Sequence, residues 1–133
     1  MKSLGQITCG ILTAAGSAAA AAQPLPVVCP SDAPGLFCDA LSASIAQAAG
    51  DTQTVLTTEP QADGPFIQFV LLKNNEHFLE GRLAWRTASG ATGEGPALEL
   101  TSMDAAINSQ MLSTYASQLV DVSELPDMIP HSK

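Results

Sequence analysis

The sequence predicts a two-layer α+β domain in which two helices cover one face of a small antiparallel sheet. Apolar residues recur with helical spacing over 37–48 and again over 107–119. Between these two stripes, short β-prone segments alternate with turn-forming residues, as in strands joined by hairpins. The expected order is therefore α-β-β-β-β-α, with a meander of three to four strands.

Residues 1–22 have the pattern of a cleaved secretory signal. Lys2 precedes a short apolar segment, and the run Ala20-Ala21-Ala22 supplies the small residues that signal peptidase requires before Gln23. The apolar segment is too short and too rich in alanine to anchor the chain in a bilayer. We therefore expect export to the periplasm, with the extracellular medium as the alternative.

The charge balance of this acidic protein excludes several kinds of partner. The chain has 13 acidic and 5 basic side chains, and loss of the signal with Lys2 leaves 13 against 4, a net charge of −9. Nucleic acids and anionic membrane surfaces are bound by clusters of lysine and arginine, which this chain lacks. No later segment is long and apolar enough to span a bilayer. We expect neither nucleic-acid binding nor stable membrane insertion.

Two cysteines remain after removal of the signal, Cys29 and Cys38. An even pair in an exported chain predicts a disulfide bond, which here closes a loop of ten residues. Redox catalysis usually needs closely spaced cysteines beside a cation, and zinc needs about four ligands. The two histidines, His77 and His131, are distant along the chain. We expect a structural disulfide, no metal and no cofactor.

The mature chain divides into three parts. Residues 23–31 contain three prolines and predict an extended lead-in. Residues 32–120 contain the periodic segments and form the single α+β domain. Residues 121–133 are polar with two prolines, which predicts a flexible tail.

The ends of both helices can be placed by capping residues. Asp32 can cap the first helix, and Gly50 ends it in a left-handed conformation. Ser102 or Asp104 can cap the second helix. Its apolar stripe repeats every four residues and consists of Ile107, Met111, Tyr115 and Leu119.

The predicted strands lie between the helices. Asn74-Asn75 form a hairpin turn in this prediction, because asparagine tolerates positive φ angles. Residues 66–72 are apolar on both faces, so the tail, a partner or a second copy has to cover part of the outer face. The segments are an edge strand at 52–58, a central strand at 66–73, the returning arm at 77–87, a glycine-rich loop at 88–96 and a last strand at 97–101.

The returning arm separates apolar from charged side chains. Leu79, Leu83 and Trp85 fall on one face, which predicts that Trp85 packs in the core. The other face carries the charged stripe, defined as Glu80, Arg82 and Arg86. Such stripes are usually solvated. This one also contains two of the four mature basic residues, so it is a possible binding patch for an acidic peptide or an anionic ligand.

The sequence contains no convincing catalytic set. A hydrolase triad needs a nucleophile, a histidine and an orienting acid, and neither Gly-x-Ser-x-Gly nor Ser-x-x-Lys is present. His77 begins a strand beside a turn, where a solvated imidazole is the ordinary interpretation. We expect no catalytic residues, although a weak enzyme that uses His77 remains an alternative.

The leading functional hypothesis is an exported, non-catalytic accessory protein that binds another envelope protein. The edge at 97–101 could accept a strand from that partner. The alternative is a periplasmic carrier that holds a small apolar or anionic ligand between the sheet and the helices. The two hypotheses differ in one structural feature, because a carrier needs a cavity, whereas a docking protein needs an uncovered apolar surface.

Overall fold

Residues 23–128 are described by a computed structural model, so the predicted signal at 1–22 and the end of the predicted tail at 129–133, with His131, lie outside the described residues. The described residues form an α+β fold with one mixed sheet of six strands and two helices. In chain order the elements are β1 (Leu25–Val28), α1 (Gly35–Ala48), β2 (Thr54–Thr57), β3 (Phe66–Asn75), β4 (Phe78–Arg86), β5 (Thr92–Glu94), β6 (Leu98–Thr101) and α2 (Ser109–Ser123).

The sheet is mixed, and this corrects the prediction of a purely antiparallel meander. Its strand order is β2-β1-β3-β4-β5, and β6 also pairs with β4. Strand β1 pairs in parallel with β2 on one side and with β3 on the other. The remaining pairs, which β4 makes with β3, β5 and β6, are antiparallel. The α+β class and the two helices are confirmed.

Strand β1 lies within the segment that was predicted as an extended lead-in. Proline is uncommon inside a sheet, because it cannot donate a hydrogen bond to a neighbouring strand. The N–H groups of Leu25 and Cys29 donate to the carbonyls of Gln53 and Thr57 at 2.8 and 2.9 Å, both toward β2. By alternation, Pro26 faces β3, where the ladder has only two residue pairs. The missing donor therefore lies where little pairing is lost.

The crossing segment, residues 58–65, brings the chain back from the end of β2 to the start of the parallel strand β3. Helix α1 makes the preceding return from β1 to β2 over one face of the sheet. Because crossovers between parallel strands are almost always right-handed, a second connection that runs the other way across the sheet is expected on the opposite face. Val28, whose side chain points to that face, is only 1% exposed, which fits this placement. The outer face is thus partly covered by the chain's own crossing segment.

Helix α1 begins later than predicted. Its N-cap is Pro34, which makes no side-chain capping hydrogen bond, rather than Asp32. The carbonyl of Asp32 instead accepts a hydrogen bond from the side chain of Asn74 at 2.9 Å. The predicted end is confirmed, because Gly50 has a φ of 74° directly after the helix.

Helix α2 also begins later than the proposed caps Ser102 and Asp104. Its N-cap is Asn108, whose Oδ1 accepts a hydrogen bond from the N–H of Met111 at 2.9 Å. An asparagine at this position satisfies a main-chain donor that the helix itself leaves unpaired. Of the predicted apolar stripe, Tyr115 and Leu119 are fully buried on α2, and Met111 is half-buried. Ile107 precedes the N-cap and so lies outside the helix.

The core lies between the sheet and the two helices. Phe37 of α1 is in its centre, with its ring centroid 4.6 Å from that of Phe69 and 5.5 Å from that of Tyr115. Trp85 packs against this cluster as predicted. The predicted disulfide between Cys29 and Cys38 is confirmed, and it joins the end of β1 to the first turn of α1.

The hairpin between β3 and β4 turns at Glu76 and His77, beyond the predicted turn. Asn74 and Asn75 belong to β3, and neither has a positive φ. The side chain of Asn75 accepts a hydrogen bond from the N–H of His77 at 2.8 Å and so stabilises the turn.

The segment predicted as a glycine-rich loop contains strand β5. Gly93 of this strand lies against the ring of Trp85, because a Cβ there would be 2.9 Å from the indole Nε1. The glycine therefore allows β5 to lie close to the ring of Trp85 and does not mark a flexible loop.

The first part of the predicted tail packs on the fold. Helix α2 continues to Ser123, and Met128 is 5% exposed. The N–H of Ala88 donates to the carbonyl of Met128 at 3.1 Å. A buried apolar residue among polar ones thus packs this segment on the fold, although its polar composition predicted a flexible tail.

No helix within 23–128 is long and apolar enough to cross a membrane.

Candidate functional site

The charged stripe lies on the outer face of β4, as its alternation predicted, and Arg82 is paired there. Its Nε lies 3.0 Å from Oε1 of Glu94 on β5. The N–H is not aligned with that oxygen, so this buried Nε forms an ion pair without hydrogen-bond geometry. Glu80 occupies the register position opposite Lys73 of β3.

Arg86 holds the crossing segment on the sheet. Its Nε and Nη2 donate to the carbonyls of Gly64 and Gln61 at 2.8 and 3.1 Å. Its guanidinium carbon also lies 4.9 Å from the ring centroid of Phe66. Both arginines of the stripe are thus engaged by groups of this chain, and an anionic ligand would have to compete with those contacts.

His77 lies in the exposed hairpin turn. Its Nε2 is 3.8 Å from a carboxylate oxygen of Glu76, and its Nδ1 donates to the carbonyl of Ala105 at 3.1 Å. No group of three or more histidine, cysteine, aspartate or glutamate side chains within 23–128 is arranged to hold a metal ion.

The end pocket is a cavity of about 380 Å³ at the end of the fold where both helices terminate. Ligand sites commonly have volumes of roughly 300–1,000 Å³, so this one is at the small end of that range. Its floor is the start of two strands, its walls are the helix ends, and the last described residues border it. The apolar lining consists of Leu25, Ile45, Ala48, Ala49, Ile67, Val120, Leu125, Pro126 and Met128.

One acidic residue lines the end pocket, and two more line a neighbouring groove. Asp127 is one of its lining residues. A neighbouring groove shares Ala48 and Val120 with the pocket and is also lined by Asp121 and Glu124. Neither helix has a basic residue in its last turn. The negative ends of both helix dipoles are therefore uncompensated by local basic side chains at this site.

The β2 edge, defined as residues 52–58, is an open edge of the sheet. Gln53 and Thr57 use their carbonyls to pair with β1. Because main-chain polar groups alternate along a strand, those of Thr54 and Leu56 point away from the sheet. Val55 and Leu56 are 41% and 39% exposed, and the whole edge is uncharged. Charged, proline-containing or bulged strands usually protect a sheet edge, and this strand has none of those features.

The edge that the sequence suggested, 97–101, is less open. Strand β6 does lie at an edge, but it carries the exposed carboxylate of Glu99. On its inner side, the hydroxyl of Tyr115 donates to the carbonyl of Leu98 at 2.7 Å. Burial raises the pKa of that phenol above its ordinary value, so Tyr115 is a neutral donor.

Sequence reasoning identified neither surface as a site. It found 52–58 as an edge strand, but its exposure depends on the position of β1, which was missed. The end pocket joins Leu25, Ile45 and Leu125 from three distant parts of the chain, and no local pattern signals that contact. Comparisons with protein-family models, curated proteins and solved structures find no match.

Proposed function

We propose that this chain is a small exported protein without catalytic activity that binds an extended segment of another envelope protein along the β2 edge. The observation that supports this most is the uncharged open edge with Val55 and Leu56 exposed. An extended segment could add a strand there through main-chain hydrogen bonds to Thr54 and Leu56. The signal pattern at 1–22 and the Cys29–Cys38 disulfide support a periplasmic location, with an extracellular one as the alternative.

The charges next to the β2 edge define the chemistry of the partner segment. Asp51 precedes this uncharged edge, and Glu59 follows it. A second copy pairing antiparallel would bring these two carboxylates together at both ends, which disfavours self-association. A segment with apolar residues at alternate positions and a lysine or arginine at each end fits instead. The net charge, −8 for the full sequence and −9 after cleavage of the predicted signal, would attract such a basic segment over a longer range.

The test changes one main-chain donor on the edge. Leu56→Pro removes the outward N–H while the ladder to β1 keeps its donors at Leu25 and Cys29. Leu56→Thr is the matched control, because it shortens the side chain and keeps the N–H. Leu36→Ala is a second control, since Leu36 is 61% exposed on α1.

Each protein is expressed with a carboxyl-terminal tag, recovered oxidised from the periplasm and used to capture partners from periplasmic extract, with mass spectrometry as readout. We expect a stoichiometric partner that Leu56→Pro loses and both controls retain. Circular dichroism has to show that the proline variant is folded. A partner that is captured equally by folded Leu56→Pro would contradict docking at this edge.

A second candidate function is favoured by the end pocket. A carrier for a small apolar ligand requires a cavity with apolar lining, and a partly open cavity of about 380 Å³ with a mixed apolar and polar lining is available there. Titration with hexan-1-ol, followed by methyl NMR, would then shift the signals of Ile45 and Leu125 and leave those of Val55 unchanged. Shifts confined to the β2 edge, or none up to the solubility limit of the alcohol, would contradict the carrier function.

A further inference from the structure

We infer that the mature chain has a modified amino terminus, in which Gln23 is cyclised to a pyroglutamyl lactam with release of ammonia. This modification site goes beyond the docking and carrier functions. It rests on the export proposed above, because it requires cleavage of the signal between Ala22 and Gln23. Docking at the β2 edge does not depend on it.

The predicted cleavage point lies just before the start of the sheet. Gln23 and Pro24 are exposed and belong to no strand, whereas Leu25 begins β1 and is fully buried. The N–H of Leu25 donates to the carbonyl of Gln53 at 2.8 Å, so main-chain pairing starts at that residue. Cleavage before Gln23 therefore leaves β1 complete and places an exposed glutamine at the new amino terminus.

The side chain of Gln23 can bend back onto its own amino group. The residue is exposed, and no hydrogen bond within 23–128 holds its side-chain amide. The lactam ring consists of N, Cα, Cβ, Cγ and Cδ of Gln23 itself. Pro24 restricts the backbone of the residue before it to an extended conformation, but that rotation lies outside the ring and does not hinder its closure.

The reaction exchanges one amide bond for another within a single residue. The neutral α-amino nitrogen attacks Cδ, the bond between this nitrogen and Cδ forms, and the bond between Cδ and Nε2 breaks. The amino group gives up one proton, and Nε2 leaves with it as ammonia, so no oxidant, reductant or co-reactant takes part. The attack is unimolecular, because both groups belong to the same residue.

Cyclisation also changes the charge at one end of the sheet. A free amino terminus is largely protonated at neutral pH, whereas the lactam is neutral. Leu25 pairs with Thr54 in the parallel register of β1 and β2. The modification therefore removes a positive charge from the end of the sheet where the β2 edge begins.

The experiment follows the amino terminus of the full chain, exported with its own signal, recovered oxidised from the periplasm through a carboxyl-terminal tag and incubated at neutral pH. After reduction, cleavage before Asp32 releases residues 23–31, and tandem mass spectrometry locates any change in this peptide. We expect the peptide to be lighter than its sequence by one ammonia and its amino terminus to be unreactive in reductive methylation. Gln23→Asn is the matched control, because its shorter side chain would have to close a smaller, strained ring, and it should keep a free amino group.

The outcomes separate cyclisation from export. A synthetic peptide of residues 23–31 sets the incubation time in the same buffer. A protein that begins at Gln23 and keeps a reactive amino group after this peptide has cyclised completely would overturn the inference and leave the export standing. A mature chain that begins at another residue, or a signal that is not removed, would overturn both. Docking is tested separately, by the capture experiment with Leu56→Pro.

Discussion

The ring of Phe69 on β3 lies directly against the backbone of Gly81 on the neighbouring strand β4. A Cβ atom at Gly81 would collide with Cζ of Phe69 and would lie 2.7 Å from the carbonyl oxygen of Val70. Phe69 is 1% exposed and also contacts Phe37 of α1. The absence of a side chain at position 81 therefore allows the sheet and the first helix to share one aromatic cluster.

Gly81→Ala should destabilise the fold by roughly 1–3 kcal/mol, because the added methyl group would displace a buried ring that has no free space around it. The free energy of urea unfolding measures this. Gly35→Ala is the matched control, since a Cβ there meets nothing within 4 Å, and it should be neutral or slightly stabilising. Equal losses in both variants would contradict the close contact.

Arg86→Ala should cost more stability than Arg82→Ala. Arg86 makes two hydrogen bonds to the crossing segment and a ring contact, and hydrogen bonds from charged groups contribute about 1.5–3 kcal/mol each. Arg82 has only a partly exposed ion pair, for which about 1 kcal/mol or less is expected. Urea unfolding of both variants checks the order, and a larger loss for Arg82→Ala would show that Arg86 does not hold the segment.

Replacement of both Cys29 and Cys38 by alanine should lower the free energy of unfolding by about 2–3 kcal/mol. The disulfide closes a short loop and limits the freedom of the unfolded chain. A reducing agent should destabilise the native protein by a similar amount and leave the double variant unchanged. If native protein is insensitive to the reductant under unfolding conditions that expose the bond, the disulfide does not contribute in this way.

Stability should fall at high pH because of Tyr115. Its burial raises the pKa of the phenol in the folded state, whereas the unfolded chain has the ordinary value of about 10. The folded state therefore keeps a proton that the unfolded state releases. The stability that the protonated phenol contributes is fully present below about pH 10 and decreases as the pH rises further.

Tyr115 is the single tyrosine of the chain, so tyrosinate absorbance reports this group alone. We expect its titration only above the ordinary value while the protein is folded. Tyr115→Phe should remove the steepest part of the loss of stability at alkaline pH. It should also lower the free energy of unfolding at neutral pH by about 0.5–1.5 kcal/mol, because the hydrogen bond to Leu98 is lost. A phenol that titrates at its ordinary value in folded protein would contradict its burial.

Local periodicity was enough to predict the helices and the β3–β4 hairpin. The stripe through Tyr115 and the alternation of Leu79 and Leu83 each arise from one element packing on one core. The cysteine pair was also predictable, because only Cys29 and Cys38 remain outside the predicted signal and two cysteines allow one bond. Helix starts were less predictable, since Asp32, Ser102 and Asp104 all have suitable side chains and the actual caps are Pro34 and Asn108.

Parallel pairing was not predictable from local pattern. Strand β1 has only four residues, one of which is Pro26, and Pro24 precedes it. Its partners in β2 and β3 begin about 30 and 40 residues later. The β2 edge and the end pocket both depend on that strand, so neither was predicted. Strand β5 was not predicted for another reason. Gly93 allows the ring of Trp85 to lie close to the strand, but a glycine in a glycine-rich segment predicts a loop.

The most direct test of docking at the β2 edge is amide hydrogen exchange in the free protein and in the complex with the captured partner. The outward N–H groups of Thr54 and Leu56 should exchange rapidly in the free protein and become protected in the complex, because a partner strand would accept hydrogen bonds from them. Unchanged exchange at these two residues, with new protection at the end pocket or at Glu99, would contradict the proposed edge docking.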